Sequence, residues 1–117
     1  MSRLVAAIDC GTNTTRLLIT DGERDVVRRA DITRLGAGVD RTKTLSADGI
    51  ERTVAILAEY GALLREHGVD HVRAVATSAA RDATNRDEFF SAAEAALAWP
   101  VDTRTAVDWA QLPPAWR

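Results

Sequence analysis

The chain has 117 residues, 46% of them hydrophobic and 27% charged, with a formal net charge of −2. That length supports one domain with a modest core, so a cleft between two lobes would need something beyond this chain. The composition is that of an ordinary soluble domain and excludes a disordered or membrane-spanning chain, and the charge gives no general attraction for nucleic acid or an anionic membrane. With no apolar run of membrane length and no signal-peptide pattern at the N-terminus, the expected compartment is cytoplasmic. Cys10 is the single cysteine, so no intramolecular disulfide forms, and no Cys/His set has metal-site spacing.

Residues Arg3 to Asp9 are almost continuously apolar and predict a strand covered on both faces; Thr14 to Thr20 predicts its return, and Asp25 to Thr33 a third strand after the turn Asp21-Gly22-Glu23. Between the first two strands lies Gly11-Thr12-Asn13-Thr14-Thr15, with Asp9 just before it and Arg16 just after. Glycine tolerates unusual φ, so successive backbone N–H groups can face one concavity while Thr12, Asn13, Thr14 and Thr15 add short donors, a nest suited to phosphate. Asp9 beside such an anion suits a hydrated divalent cation or an oriented water. The same residues also fit a plain polar β-turn. Cys10, between Asp9 and Gly11, reads as a small buried space-filler, with a reactive thiol as the other reading.

Arg34 to Thr44, with Gly36 and Gly38, predicts a loop; its glycines permit close approach of a ligand and Arg34, Arg41 and Lys43 could meet phosphates, or the loop is a solvated connection. Ser46 is the expected N-cap of a long amphipathic helix whose apolar positions are Ile50, Val54, Leu57, Gly61 and Leu64, ended by Gly68. His67 and His71 read as surface residues. Val72 to Ala76 predicts a short strand completing a mixed sheet, and ligands usually meet open α/β sheets at such carboxyl ends. There, the hydroxyls of Thr77 and Ser78 and the guanidinium of Arg81 form a second set of phosphate donors, or Thr77 or Ser78 caps a helical turn while Arg81 pairs with Asp82 or Asp87. Asn85 with Glu88 three residues on predicts the capped start of a second helix that buries Phe89, Phe90, Ala93, Ala96 and Leu97, turns Ser91 and Glu94 outward and stops at Pro100. From Trp99 the chain carries all three tryptophans and loses periodicity; residues 99–117 read as an atypical tail with one edge strand near Val101.

The segments Ile8 to Leu18, Arg34 to Asp40 and Ala76 to Asn85, in this order and with a helix between the second and third, resemble the exopolyphosphatase / guanosine pentaphosphate phosphohydrolase (Ppx/GppA) family over about residues 4 to 98. The resemblance implies α/β architecture: the first ribonuclease-H-like lobe, residues 1–98, of an actin-like or sugar-kinase-like ATPase fold. It implies that Gly11, Thr12, Asn13, Thr14, Thr15 and Arg16 form the first phosphate loop, that Asp9 lies on the Mg²⁺ side, and that Thr77, Ser78 and Arg81 line the facing wall. The implied chemistry is release of terminal phosphate from polyphosphate or guanosine pentaphosphate by water, with Mg²⁺ screening charge. The catalytic glutamate segment and the second phosphate loop of the family are not legible, and neither Asp102 nor Asp108 has a matching motif around it. No catalytic residue is assigned, and the expectation is a truncated enzyme with little turnover alone. A non-catalytic phosphate-binding or lobe-pairing module is the alternative, and an exposed inner surface would favour a homodimer. A sugar kinase shares only the first hairpin.

Overall fold

A computed structural model describes residues 3–103. Three strands come first, β1 (Val5–Cys10), β2 (Thr14–Thr20) and β3 (Asp25–Ile32), followed by a short helix α1 (Val39–Thr42) and the 21-residue α2 (Ala47–His67). Then come β4 (His71–Ala76), the single turn α3 (Ser78–Arg81), α4 (Arg86–Leu97) and β5 (Val101–Thr103). The strands form one sheet in the order β3-β2-β1-β4-β5. The first three pair antiparallel, while β4 runs parallel to both β1 and β5. This is the mixed α/β sheet expected, and the predicted edge strand is β5; the rest of the tail, 104–117, lies outside the described residues.

Alternation along the strands decides what is buried. Ala6, Ile8 and Cys10 of β1 and Leu17 and Ile19 of β2 face α2 and α4, where they meet Leu57, Tyr60, Leu64, Phe89, Ala93 and Leu97. The two helices come close because Gly61 has no side chain: a Cβ there would stand 3.0 Å from the carbonyl oxygens of Ala96 and Leu97. The buried stripe of α2 includes Leu57, Gly61 and Leu64 as expected and departs from the expectation at its other positions. Thr53 and Tyr60 are fully buried, whereas Ile50 and Val54 are half-buried. Polarity hid the true stripe, since the Thr53 hydroxyl is satisfied by the Gly49 carbonyl at 2.8 Å and the Tyr60 hydroxyl by the Thr15 carbonyl at 2.9 Å. Both ends of α2 are as expected: the Ser46 hydroxyl accepts from Gly49 N–H at 2.9 Å, and Gly68 closes the helix at φ 63.

Two expected details of α4 are corrected. Asn85 makes no capping bond; its side-chain amide accepts from Leu45 N–H and donates to Leu45 C=O, both at 2.9 Å, and so ties the loop after α1 to the start of α4. Glu94 does not turn away, since its carboxylate accepts from Val101 N–H at 3.2 Å and fixes the entry to β5. Both partners lie beyond the reach of a local pattern.

Candidate functional site

The turn between β1 and β2 is a hairpin closed by Gly11 N–H donating to Thr14 C=O at 3.0 Å. Gly11 does not use the freedom in φ that glycine offers: its φ is not positive. Glycine is required there for space: a Cβ would stand 2.9 Å from the Thr14 carbonyl oxygen. With the Gly11 N–H committed, the N–H groups of Thr12 and Asn13 are the turn donors without a partner among the described residues.

The turn carbonyls hold the next motif. Asn13 C=O accepts from Thr33 N–H and Arg34 N–H, both at 3.0 Å, and Thr12 C=O accepts from Gly36 N–H at 2.8 Å. Arg34 takes a left-handed φ of 51 to make this bend, and Arg52 braces it by donating to Thr33 C=O at 2.9 Å. A Cβ on Gly36 would collide with the Thr12 methyl and stand 3.1 Å from the Ala79 methyl. The first turn, the glycine-bearing loop and the segment after β4 therefore touch at a single point. Over that point opens a cleft of about 220 Å³, lined by Thr12, Gly36, Val39, Asp40, Lys43, Ala79 and Asp82.

The predicted site residues divide around this cleft. Thr12 lines it, Asn13 is exposed on the turn and Thr14 is half-buried at the start of β2. Thr15 is the correction: it points into the core and its hydroxyl pairs with that of Thr33 at 2.8 Å, so it offers nothing to the cleft. Strand alternation gives the reason, since Thr15 shares the helix-side face with Leu17 while Thr14 and Arg16 share the opposite one. Thr77 follows β4, its N–H donating to Cys10 C=O at 3.2 Å, so the segment after β4 is anchored beside the end of β1. Ser78 opens α3 and Arg81 closes it. Arg81 grips Asp82 through Nε at 3.2 Å, a part-exposed pair at the cleft rim. Of the loop cations, Lys43 reaches the cleft lining, whereas Arg34 and Arg41 are exposed and outside it.

Asp9 sits on the face opposite the helices, in register with Arg16 on β2 and Val75 on β4. Its Oδ1 is buried with no hydrogen-bond partner among the described residues. Burial raises its pKa and the nearby charge of Arg16 pulls back the other way. Cys10, one residue on, faces the core, and burial followed by the Asp9 charge pushes its thiol up to about 12, which makes it an inert filler. Among the described residues no three His, Cys, Asp or Glu side chains gather as a metal cage.

The match to known proteins covers the same ground. Residues 18–106 fit the model of the Ppx/GppA phosphatase family, a span that begins just past the first turn. The chain belongs to this family. It is 53% identical over 95 residues to Exopolyphosphatase 2 of Mycobacterium tuberculosis, a match that takes in 74% of this chain and 30% of that relative. It is 33% identical over 105 residues to the guanosine-5′-triphosphate,3′-diphosphate pyrophosphatase of Vibrio cholerae, covering 86% of this chain and 21% of the other. The crystal structure of the Aquifex aeolicus Ppx/GppA family member superposes with a TM-score of 0.83 at 38% identity, over 89% of this chain and 35% of that one. An exopolyphosphatase from Cytophaga hutchinsonii superposes at 0.80 with 27% identity, over 86% of this chain and 34% of its own. The fold is thus the actin-like ATPase type, and the chain spans about a third or less of the length of these relatives. Among the described residues no helix is long and apolar enough to cross a membrane.

The sequence reading missed the steric role of Gly36 and the presence of Asp40 and Asp82 at the cleft rim. A glycine flanked by Leu35 and Ala37 in a loop was the available signal for the first. Nothing local marks the two aspartates.

Proposed function

We propose that this chain supplies one wall of a phosphohydrolase site that releases the terminal phosphate of inorganic polyphosphate or of guanosine pentaphosphate. The observation that carries this reading is the meeting of the three motif segments at Gly36, between Thr12 and Ala79, under an open cleft. The unpartnered N–H groups of Thr12 and Asn13, with the Thr12 hydroxyl, receive phosphate oxygens; Thr14 and Arg16 extend that wall, and Thr77, Ser78 and Arg81 form the facing one. The Arg81–Asp82 pair is part-exposed and therefore weak, so a phosphate can take the place of Asp82 on the guanidinium fork.

Asp9 fits Mg²⁺: a single buried carboxylate oxygen without a partner is what a mostly hydrated magnesium ion asks of a protein. When bound, the ion would supply positive charge against the phosphate oxygens. Cleavage also needs a general base to take a proton from the attacking water, and no glutamate lines the cleft among the described residues. We assign that role to the part of the site that faces this wall from outside the described residues. Held from one side, the transition state keeps only part of its electrostatic stabilisation, and the chain alone turns over little or not at all.

The test is phosphate release by malachite green with Mg²⁺, on polyphosphate and on guanosine pentaphosphate, for the chain and for Arg81→Ala. The expected result is background release from both proteins, with polyphosphate binding weakened in the variant. Robust release by the chain that Arg81→Ala abolishes would show a complete site and overturn the one-wall reading. Equal polyphosphate binding by both proteins would overturn the placement of Arg81.

A further inference from the structure

β3 closes one end of the sheet among the described residues, and its outer edge carries a pattern that is complementary to itself. Thr33 N–H donates to Asn13 C=O at 3.0 Å, which makes 13 and 33 a hydrogen-bonded pair that continues the Thr14↔Ile32 register. In an antiparallel ladder such pairs alternate, so Val27, Arg29 and Asp31 bond to β2. The N–H and C=O groups of Arg28, Ala30 and Ile32 are left directed away from the sheet. Ile32 lies in this row and is 74% exposed. The register shift between Ile19 and Thr20 puts Val26 out of step, so the usable edge is residues 28–32.

We propose that two copies of this chain associate through their β3 edges, antiparallel, about a twofold axis at Ala30. The free main-chain groups fix the parity, because even-numbered residues must face even-numbered residues, and charge then selects among the allowed registers. An axis at Arg29 sets Arg29 against its own copy, and an axis at Asp31 does the same with two carboxylates. An axis at Arg28 opposes two guanidinium groups. The axis at Ala30 alone sets Arg29 opposite Asp31 of the second copy, twice, at non-hydrogen-bonded positions where side chains come closest. Within one copy Arg29 already grips Asp31 at 3.1 Å and Glu59 at 3.2 Å, so the pairing joins two existing clusters into a network of six charges. On the other face Ile32 lies opposite the aliphatic stem of Arg28 of the second copy, and the small Ala30 meets its own copy. Five residues a side make a small interface, so the dimer is weak and forms at tens to hundreds of micromolar.

Sedimentation equilibrium across that range tests this, with circular dichroism as a check on folding. The intact chain is expected to show a monomer–dimer equilibrium, and Ala30→Lys, which places two ammonium groups at the axis, to weaken it roughly tenfold or more. The register has its own readout: under mild oxidation Ala30→Cys is expected to cross-link to itself and Arg28→Cys is not, because Cα atoms facing each other across a hydrogen-bonded pair are about 5.5 Å apart, within disulfide reach. Cys10 is buried and does not compete. A chain that stays monomeric throughout, a dimer indifferent to Ala30→Lys, or equal cross-linking by both cysteine variants would overturn the proposal.

Discussion

Replacing Asp9 by Asn should stabilise the metal-free chain and remove its response to Mg²⁺. Asp9 Oδ1 is buried without a partner, and burial raises the pKa against the pull of Arg16. An unsatisfied buried polar group costs about 1–3 kcal/mol, more when charged; Asn keeps a polar atom at that place and Arg16 offsets part of the charge, so only the charged excess is recovered, a gain of about 1 kcal/mol. For a domain near 100 residues that is a rise in Tm of about 4–8 °C. The sign with pH follows from a folded pKa raised above the ordinary carboxyl value of 3.8. Between the two values the folded chain holds more protons, so wild-type stability falls as pH rises through the window and the gap to the variant opens; below 3.8 it closes. Magnesium at ten times a dissociation constant of about 1 mM would restore roughly 1.4 kcal/mol to the wild type and nothing to the variant. Differential scanning fluorimetry at pH 7 with and without 10 mM Mg²⁺, about the concentration that estimate needs, reads both effects. A variant no more stable than wild type, or one whose Tm rises with Mg²⁺ as much, would refute the reasoning.

Tyr60→Phe removes the hydroxyl shared by Thr15 C=O and Asp31, and should cost about 0.5–1.5 kcal/mol in urea denaturation: the Thr15 carbonyl keeps its ladder bond from Asp31 N–H, so a hydrogen bond is lost but no buried acceptor is left bare. An unchanged midpoint would show that water replaces it. Gly36→Ala forces a methyl between Thr12 and Ala79 and should cost about 1–3 kcal/mol while weakening polyphosphate binding, read by calorimetry; wild-type binding in the variant would separate the contact from the cleft. Asp31 is held below its ordinary pKa: burial opposes this, but the Tyr60 hydrogen bond and then Arg29 outweigh it. Its contribution is full above 3.8 and lost as pH falls through the folded value, so Asp31→Asn should flatten the acid limb of the stability curve. Cys10, with its thiol pushed up to about 12, should resist a disulfide reagent at pH 8 until denaturant is added.

Local chemistry made much of the fold legible. Ser46 and Gly68 bound α2 because capping depends on neighbours a few residues away, and the hairpin of β1 and β2 followed from two apolar runs around a polar turn, although β1 is fully buried on one face only and not on both as its apolar run predicts. What failed depended on distant partners. Asn85 looks like a cap until Leu45, 40 residues earlier, takes its amide; Thr15 looks like a phosphate donor until Thr33 takes its hydroxyl. Glu94 looked solvated because Val101 N–H comes from beyond the stop at Pro100. For the site, the three motifs were visible as separate segments, but their meeting at Gly36 is a property of packing.

The most direct measurement is a titration of the ¹⁵N-labelled chain with tripolyphosphate and Mg²⁺, followed by amide shifts. The proposed site predicts that the largest changes fall on Thr12, Asn13, Gly36 and Thr77 to Arg81, with Asp9 responding only when Mg²⁺ is present. Changes centred on exposed arginines such as Arg28 and Arg41, or none at all, would contradict it.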